Sequence, residues 1–444
     1  MALAIPNNYQ SFLPRFYRLS LVGILSNLMV PLAGLFDAAF LGHLNNLNYL
    51  AGVILASLLF DYLYRVLKFI RNTTNTMTAQ AVGENDSQEV LVHLLRSGLI
   101  ALAIASIILC LQYPLQKLGF AILAGSPEIK VSGVEYFNSR IWGAPAVLLN
   151  LVLIGWFLGR EKNWLVFGIS LMANGSNVCL DYLMISQWGW GSMGAGLATA
   201  LSQYLALLVG LIGVACTIQW QDLSGAIQAL SDKKSITSTL VLKGNIFVRF
   251  LILISSYAVF TNLSAAMGKE ILTENGLLLQ IVLLSQFSVQ GIGMTVQTLI
   301  SNFAGKRDEE KIRPLMITAI SNSLLLSLSF AVTVLLFPNT IFALLTNHYE
   351  INQAITDYTI WFIPLLSCSA IAFILEGYFI GIKDGVTLRN SSLMSFCLVF
   401  LPVAAIASYW HNVHLLWASL TLFMIAIIII LTRKLLTNRQ MLNV

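Results

Sequence analysis

Long apolar stretches dominate this chain, each broken by a short polar or glycine-containing segment. A helix needs about 20 apolar residues to span the hydrocarbon core of a bilayer. Twelve stretches meet that length, at 16–42, 47–82, 90–114, 131–159, 163–186, 194–218, 246–268, 271–304, 315–337, 351–382, 387–409 and 412–434. The pattern predicts an all-α integral membrane protein with twelve transmembrane helices. The second and eighth stretches are longest and carry polar residues, so they are expected to lean or to reach beyond the apolar layer. Arg15 and Arg18 precede the first stretch, which is too long for a signal-peptide core and is expected to remain as a first helix.

The pattern also repeats. Gly155-Trp156-Phe157-Leu158-Gly159 followed by Arg160-Glu161-Lys162 is echoed by Gly377-Tyr378-Phe379-Ile380-Gly381 followed by Ile382-Lys383-Asp384, an offset of 222 residues. Gly83 and Asp86 match Gly305 and Asp308 at the same offset, and Trp142 and Pro145 match Trp361 and Pro364 at 219. Three ordered matches predict two six-helix lobes of like orientation, at 1–218 and 246–444, joined by the polar segment 219–245. Parallel repeats of this kind are a transporter architecture.

Composition sharpens this reading. The chain has 444 residues, 57% hydrophobic and 10% charged, far below the charge content of a soluble protein. With a cytoplasmic N-terminus, the cytoplasmic segments hold eighteen lysines and arginines, Arg249 among them. The outer segments hold only Lys117, Lys130 and Lys269. That asymmetry is a positive-inside signature, so the net charge of +5 reads as topology and not as a nucleic-acid surface. The expected location is the cell (inner) membrane, multi-pass, with both termini cytoplasmic. The five cysteines lie in apolar stretches without ligand spacing, which predicts neither a disulfide framework nor a metal centre.

Ionisable residues inside a bilayer are costly and mark functional positions by default. Those within the stretches are Asp37, Asp61, Arg65, Lys68, Arg71, Glu135, Arg140, Asp181, Glu274 and Glu376. Asn174, Asn177 and Asp181 are spaced to share one helix face. Low dielectric disfavours a charged carboxylate, so such a group can trade a proton near neutral pH. With amide and hydroxyl oxygens beside it, the same group suits Na⁺. The alternative is that these residues only join helices through hydrogen bonds. Asp61, Arg65, Lys68 and Arg71 read as an internally paired polar stripe, and Glu135 and Arg140 as structural. Gln286, Gln290 and Gln297 share a face of the eighth helix, where they either line a polar cavity or bridge helices. Glu274 and Glu376 are further cleft candidates. No phosphate-binding GxxxxGK[ST] loop or hydrolase motif is present, so neither ATP hydrolysis nor another catalytic activity is expected.

Several segments together resemble the multidrug and toxic compound extrusion (MATE) family, specifically its DinF-like branch. They are Leu25-Ser26-Asn27 through Pro31, Asp37, Gly42-His43-Leu44, Ala79 to Gly83, Gly155 to Gly159, Asn177 to Asp181, Gly194 to Thr199, Gly377 to Gly381, and Arg389-Asn390-Ser391. The resemblance implies two six-helix lobes around a central cleft and proton- or sodium-driven export of small amphipathic compounds. It implies no cofactor beyond the coupling ion, a monomer, and an N-lobe cation site at Asp37, Asn177, Asp181 and Thr199. The chain departs from the family at Val22, where many relatives have proline, and at Gln290 and Gln297, where DinF-like relatives are often acidic. The glutamines favour a neutral or anionic substrate. A lipid-linked oligosaccharide flippase and a passive channel are the rival functions. The flippase would need clustered bases, here only Arg65, Lys68 and Arg71.

Overall fold

The computed structural model describes residues 12–42, 47–123, 126–230, 233–338, 340–341 and 356–437. The side chains of 30–39, among them Asp37 and Pro31, lie outside the described residues, as do His43 and His348. The described chain is helical. Twelve long helices run in order: α1 (Leu13–Gly42), α2 (Asn48–Gly83), α3 (Ser87–Cys110), α4 (Pro127–Gly159), α5 (Asn163–Asp181), α6 (Gly191–Thr217), α7 (Lys233–Met267), α8 (Lys269–Lys306), α9 (Glu309–Leu336), α10 (Thr359–Gly381), α11 (Gly385–Tyr409) and α12 (Val413–Thr437). Ten of them contain stretches long and apolar enough to cross a membrane. The other two are α1 and α5, which continues as a π-helix through Tyr182–Gln187.

The chain divides into two compact units. One comprises Leu28–Ser238, and the other comprises Thr239–Val444 with the first part of α1, up to Asn27. In this second unit α1 lies close against α8. A methyl group on Gly23 would stand 2.8 Å from the Gly291 carbonyl oxygen, so the two glycines permit that approach. The Asn27 amide donates to the Phe287 carbonyl at 3.2 Å, and the Arg15 guanidinium to Asn302 Oδ1 at 3.0 Å. Gly23 therefore serves helix contact, and α1 runs on as helix through Val22 and Gly23.

The repeat seen in the sequence is also written in the backbone. Non-glycine residues with positive φ fall at Asn85 and Arg307, and again at Glu161 and Lys383, each pair 222 apart. In all four cases the residue ends a helix, and the next N–H closes a reverse bond onto the last turn (Asp86 to Ala81, Asp308 to Phe303, Lys162 to Phe157, Asp384 to Phe379). Gly189 and His411 form a third such pair. Trp142 and Trp361 both sit in 3₁₀ turns, Ile141–Gly143 and Thr359–Trp361. A proline follows each within the next helical turn, where its missing N–H is tolerated.

The repeated Gly-x-x-x-Gly segments make equivalent contacts within their own units. On α4, a methyl on Gly155 would collide with the Arg71 carbonyl of α2, and one on Gly159 would reach the Asn75 carbonyl at 2.8 Å. On α10, Gly377 abuts the Gly293 carbonyl of α8, and Gly381 lies against Ile300 and the Gln297 carbonyl. Small residues let backbones approach, and van der Waals packing then holds the helices together.

Three expectations change. The second stretch is a helix broken at Lys68, with Phe69–Gly83 forming its buried, threonine- and asparagine-rich end. The segment 219–245 is largely helical, with a turn at Trp220–Asp222, a short helix Leu223–Ala229 and then the start of α7. Arg96, itself buried, donates to the Ala229 carbonyl at 3.1 Å and caps that short helix. Arg249, counted above as a cytoplasmic flank, lies well inside α7 and is buried.

Candidate functional site

In the unit formed by Leu28–Ser238, α5 carries the sequence-predicted acid and its amides. Asp181 is 0% exposed and Asn177 is 3% exposed, on one helical face. Asn177 Nδ2 finds no hydrogen-bond acceptor among the described residues. Asn174, one turn away, is half-buried and donates to the Ser170 carbonyl of its own helix at 2.7 Å. Asp181 is the last α-helical residue before the π-helix, a wider turn often found at functional positions. That turn rests on α6, where a methyl on Gly194 would meet the Met184 carbonyl at 3.1 Å.

Helix α6 packs along α5 and carries Thr199. The Thr199 hydroxyl donates to the Ala195 carbonyl at 2.9 Å, which leaves its oxygen lone pairs available as acceptors. Gly196 lets α6 approach Tyr136 and Ser139 on α4. Neither α5 nor α6 carries a lysine or arginine, since the chain has none from Asn163 to Thr217. Asp37, the remaining member of the set, has its side chain outside the described residues.

The polar candidates of α2 and α4 take structural positions. Arg65 pairs with Asp61 at 3.5 Å on a partly exposed face. Arg71 is buried on the second half of α2, beyond the break at Lys68. Arg140 donates to the Tyr136 hydroxyl at 2.6 Å and lies 4.7 Å over the Phe60 ring, while Glu135 is exposed.

The other unit holds a different arrangement. Gln286 is buried, accepts from the Tyr257 hydroxyl at 2.8 Å and donates to Ser369 Oγ at 3.1 Å. It thereby ties α7, α8 and α10 together. Gln297 is buried and Gln290 half-buried on the same helix. Glu274 is buried near the start of α8, and beside it Asn275 joins Ser264 at 2.8 Å and the Trp417 indole at 2.8 Å. Glu376 forms an ion pair with Arg249, whose side chain is only 4% exposed. Sequence reasoning passed over this partner because Arg249 follows the basic run Lys233, Lys234 and Lys243, which reads as a loop. The available signal was its position inside an uninterrupted apolar stretch, Ile246 to Ser255. Among the described residues no group of three or more His, Cys, Asp and Glu side chains is placed to hold a metal ion.

Comparison with known proteins places these elements. The MatE family model matches twice, over residues 23–183 and 246–406. DNA damage-inducible protein F of Escherichia coli strain K12 is 30% identical over 411 residues, which cover 92% of this chain and 88% of the relative. A probable multidrug resistance protein NorM of Thermotoga maritima is 24% identical, covering 90% and 87%. Two solved structures share the fold at 18% identity, each over 97% of this chain and 96% of the other. One is a MOP superfamily transporter from Pyrococcus furiosus, with a TM-score of 0.85. The second is an outward-facing multidrug resistance transporter of the MATE family, with a TM-score of 0.86.

Proposed function

The chain belongs to the MatE family of multidrug efflux transporters, and from that premise we propose that it is a cation-coupled antiporter exporting small amphipathic organic compounds. The observation that carries this reading is Asp181. It is fully buried, with Asn177 on its own helix face, in a pair of helices that supply no basic residue. A carboxylate in such surroundings gains several kcal/mol from taking up a positive charge. A proton or Na⁺ entering from outside provides that charge. Asp37, Asn177, Asp181 and Thr199 form the coupling set, with Asn174 steadying the turn before it. The lobes are 1–218 and 246–444, and the protein works in the inner membrane with both termini in the cytoplasm.

Ion binding drives transport only through a difference in affinity between outward- and inward-open states. Neutralising Asp181 removes one buried charge and so biases that balance. The substrate is neutral or anionic, since α8 presents Gln286, Gln290 and Gln297, and Glu376 is already paired. The test is transport in proteoliposomes. Asp181→Asn and Asp37→Asn are each expected to fold normally and to abolish substrate flux driven by an imposed pH or sodium gradient. Normal gradient-driven flux in both variants refutes the coupling set. Flux that ignores any gradient in the wild type refutes antiport and favours a channel.

A further inference from the structure

The second unit contains an intramembrane carboxylate that brings its own cation. Glu376 lies in the last third of α10, one residue before Gly377, whose face abuts the Gly293 carbonyl of α8. Its carboxylate meets the guanidinium of Arg249 on α7, a residue 127 positions away in sequence. Both side chains are withdrawn from solvent, at 4% and 14% exposed. Among the described residues, Arg249 is the charged side chain found paired with Glu376. Helix α8 has no ionisable residue between Glu274 and Lys306, α9 none beyond Arg313, and α12 none between His414 and Arg433. On α11, Asp384 caps its own helix through Thr387, and Arg389 donates to Asn245 and Asn390. On α1, Arg15 is held by Asn302, Arg18 is exposed, and Asp37 has its side chain outside the described residues. On α7 the other bases are Lys233, Lys234 and Lys243, and Lys243 is also buried.

We propose that Arg249 is a tethered cation. It permanently fills the place beside Glu376 that a proton or Na⁺ would otherwise take, so this half of the protein takes up no coupling ion. The inference deepens the antiport reading above and rests on it for its meaning in transport. It converts a carboxylate in a second helical unit from a second coupling site into a fixed, neutral pair. The repeat supports the assignment. At the 222-residue offset Asp181 corresponds to Val403, and Glu376 corresponds to Ile154. At these two positions one half keeps an acid where the other is apolar, and the acid of the second half is paired with a base on another helix of its unit.

The experiment counts cations on the purified full-length protein. Proton uptake is read by potentiometric titration between about pH 5 and pH 8, and Na⁺ by ²²Na⁺ binding, where a buried carboxylate without its base must recruit one or the other. Removing the base in Arg249→Gln is expected to add one cation per molecule, proton or Na⁺, over the wild type. Arg249→Gln/Glu376→Gln is expected to return to the wild-type count. Should Arg249→Gln fail to fold, Glu376→Gln alone decides, because it is expected to keep the wild-type count. Equal counts in Arg249→Gln and the double variant overturn the proposal, and so does a lost cation in Glu376→Gln. Gradient-driven transport by the same samples separates the two claims. A wild type without coupling sinks the antiport reading, while the cation count still judges Arg249.

Discussion

Asp181 and Glu376 are both acids inside helical bundles of one duplicated chain, yet their surroundings differ in kind. Asp181 sits where α5 passes into a wide π-turn, on a face shared with amides and against a helix bearing a threonine hydroxyl. Glu376 sits on an unbroken α-helix beside a glycine contact and is met by a guanidinium. The first setting suits reversible loading by a small cation, since its helices contribute oxygen atoms and no fixed positive charge. The second is already neutral. Two halves that share their helix caps, Trp-containing turns and glycine contacts have therefore parted at the positions where charge can be held. Duplication preserved the scaffold and allowed the electrostatics to specialise.

The largest expected effect comes from breaking the second setting. Arg249→Ala leaves a buried carboxylate without its base and should cost about 3–5 kcal/mol, read as a large fall in melting temperature in detergent. Replacing the pair together, as Arg249→Met/Glu376→Met, should recover most of that loss, because well-packed apolar residues are often as stable as a buried pair. Failure of the double replacement to recover would mean the pair has duties beyond neutralising charge.

The shared scaffold gives the next test. Gly155→Val and Gly377→Val both push side chains against backbone carbonyls, and overpacking of this kind costs about 1–3 kcal/mol. Losses of similar size at the two positions are expected, because the repeat makes the same contact twice. A large loss at one and none at the other would separate the halves structurally. A smaller effect is expected at Gln286→Leu, which cuts the bridge from Tyr257 to Ser369 and leaves one half-buried and one buried hydroxyl to find new partners. Its cost is about 1–3 kcal/mol at most, with the coupling ion unchanged. A changed substrate range in that variant would instead assign Gln286 to a substrate cavity.

Much of the scaffold was legible in the residue pattern. Stretches of membrane-spanning length can hardly fold otherwise in lipid, where every backbone polar group must be satisfied within its own helix. The duplication was visible because close glycine contacts tolerate few residue types, whereas the left-handed helix ends, held by Asn85 and Arg307 and by Glu161 and Lys383, repeat in the backbone without repeating in residue type. At the site, Asn177 and Asp181 announced their common face by spacing alone. Arg249 did not announce its role, since a hydropathy pattern cannot tell which polar residue turns toward a partner on another helix. Its neighbourhood of lysines gave it the look of a loop. The break at Lys68 was hidden for a related reason. The threonines and asparagines that follow it are buried by packing against Gly155 and Gly159, and composition alone made that stretch look like an exposed helix end.

The most direct measurement compares the two acids in one assay. Wild type, Asp181→Asn and Glu376→Gln are reconstituted, and the collapse of imposed pH and sodium gradients on addition of a panel of amphipathic compounds is followed. The account predicts that Glu376→Gln dissipates the gradient as the wild type does, while Asp181→Asn does not respond to any compound. Coupled dissipation that survives in Asp181→Asn and disappears in Glu376→Gln would contradict it.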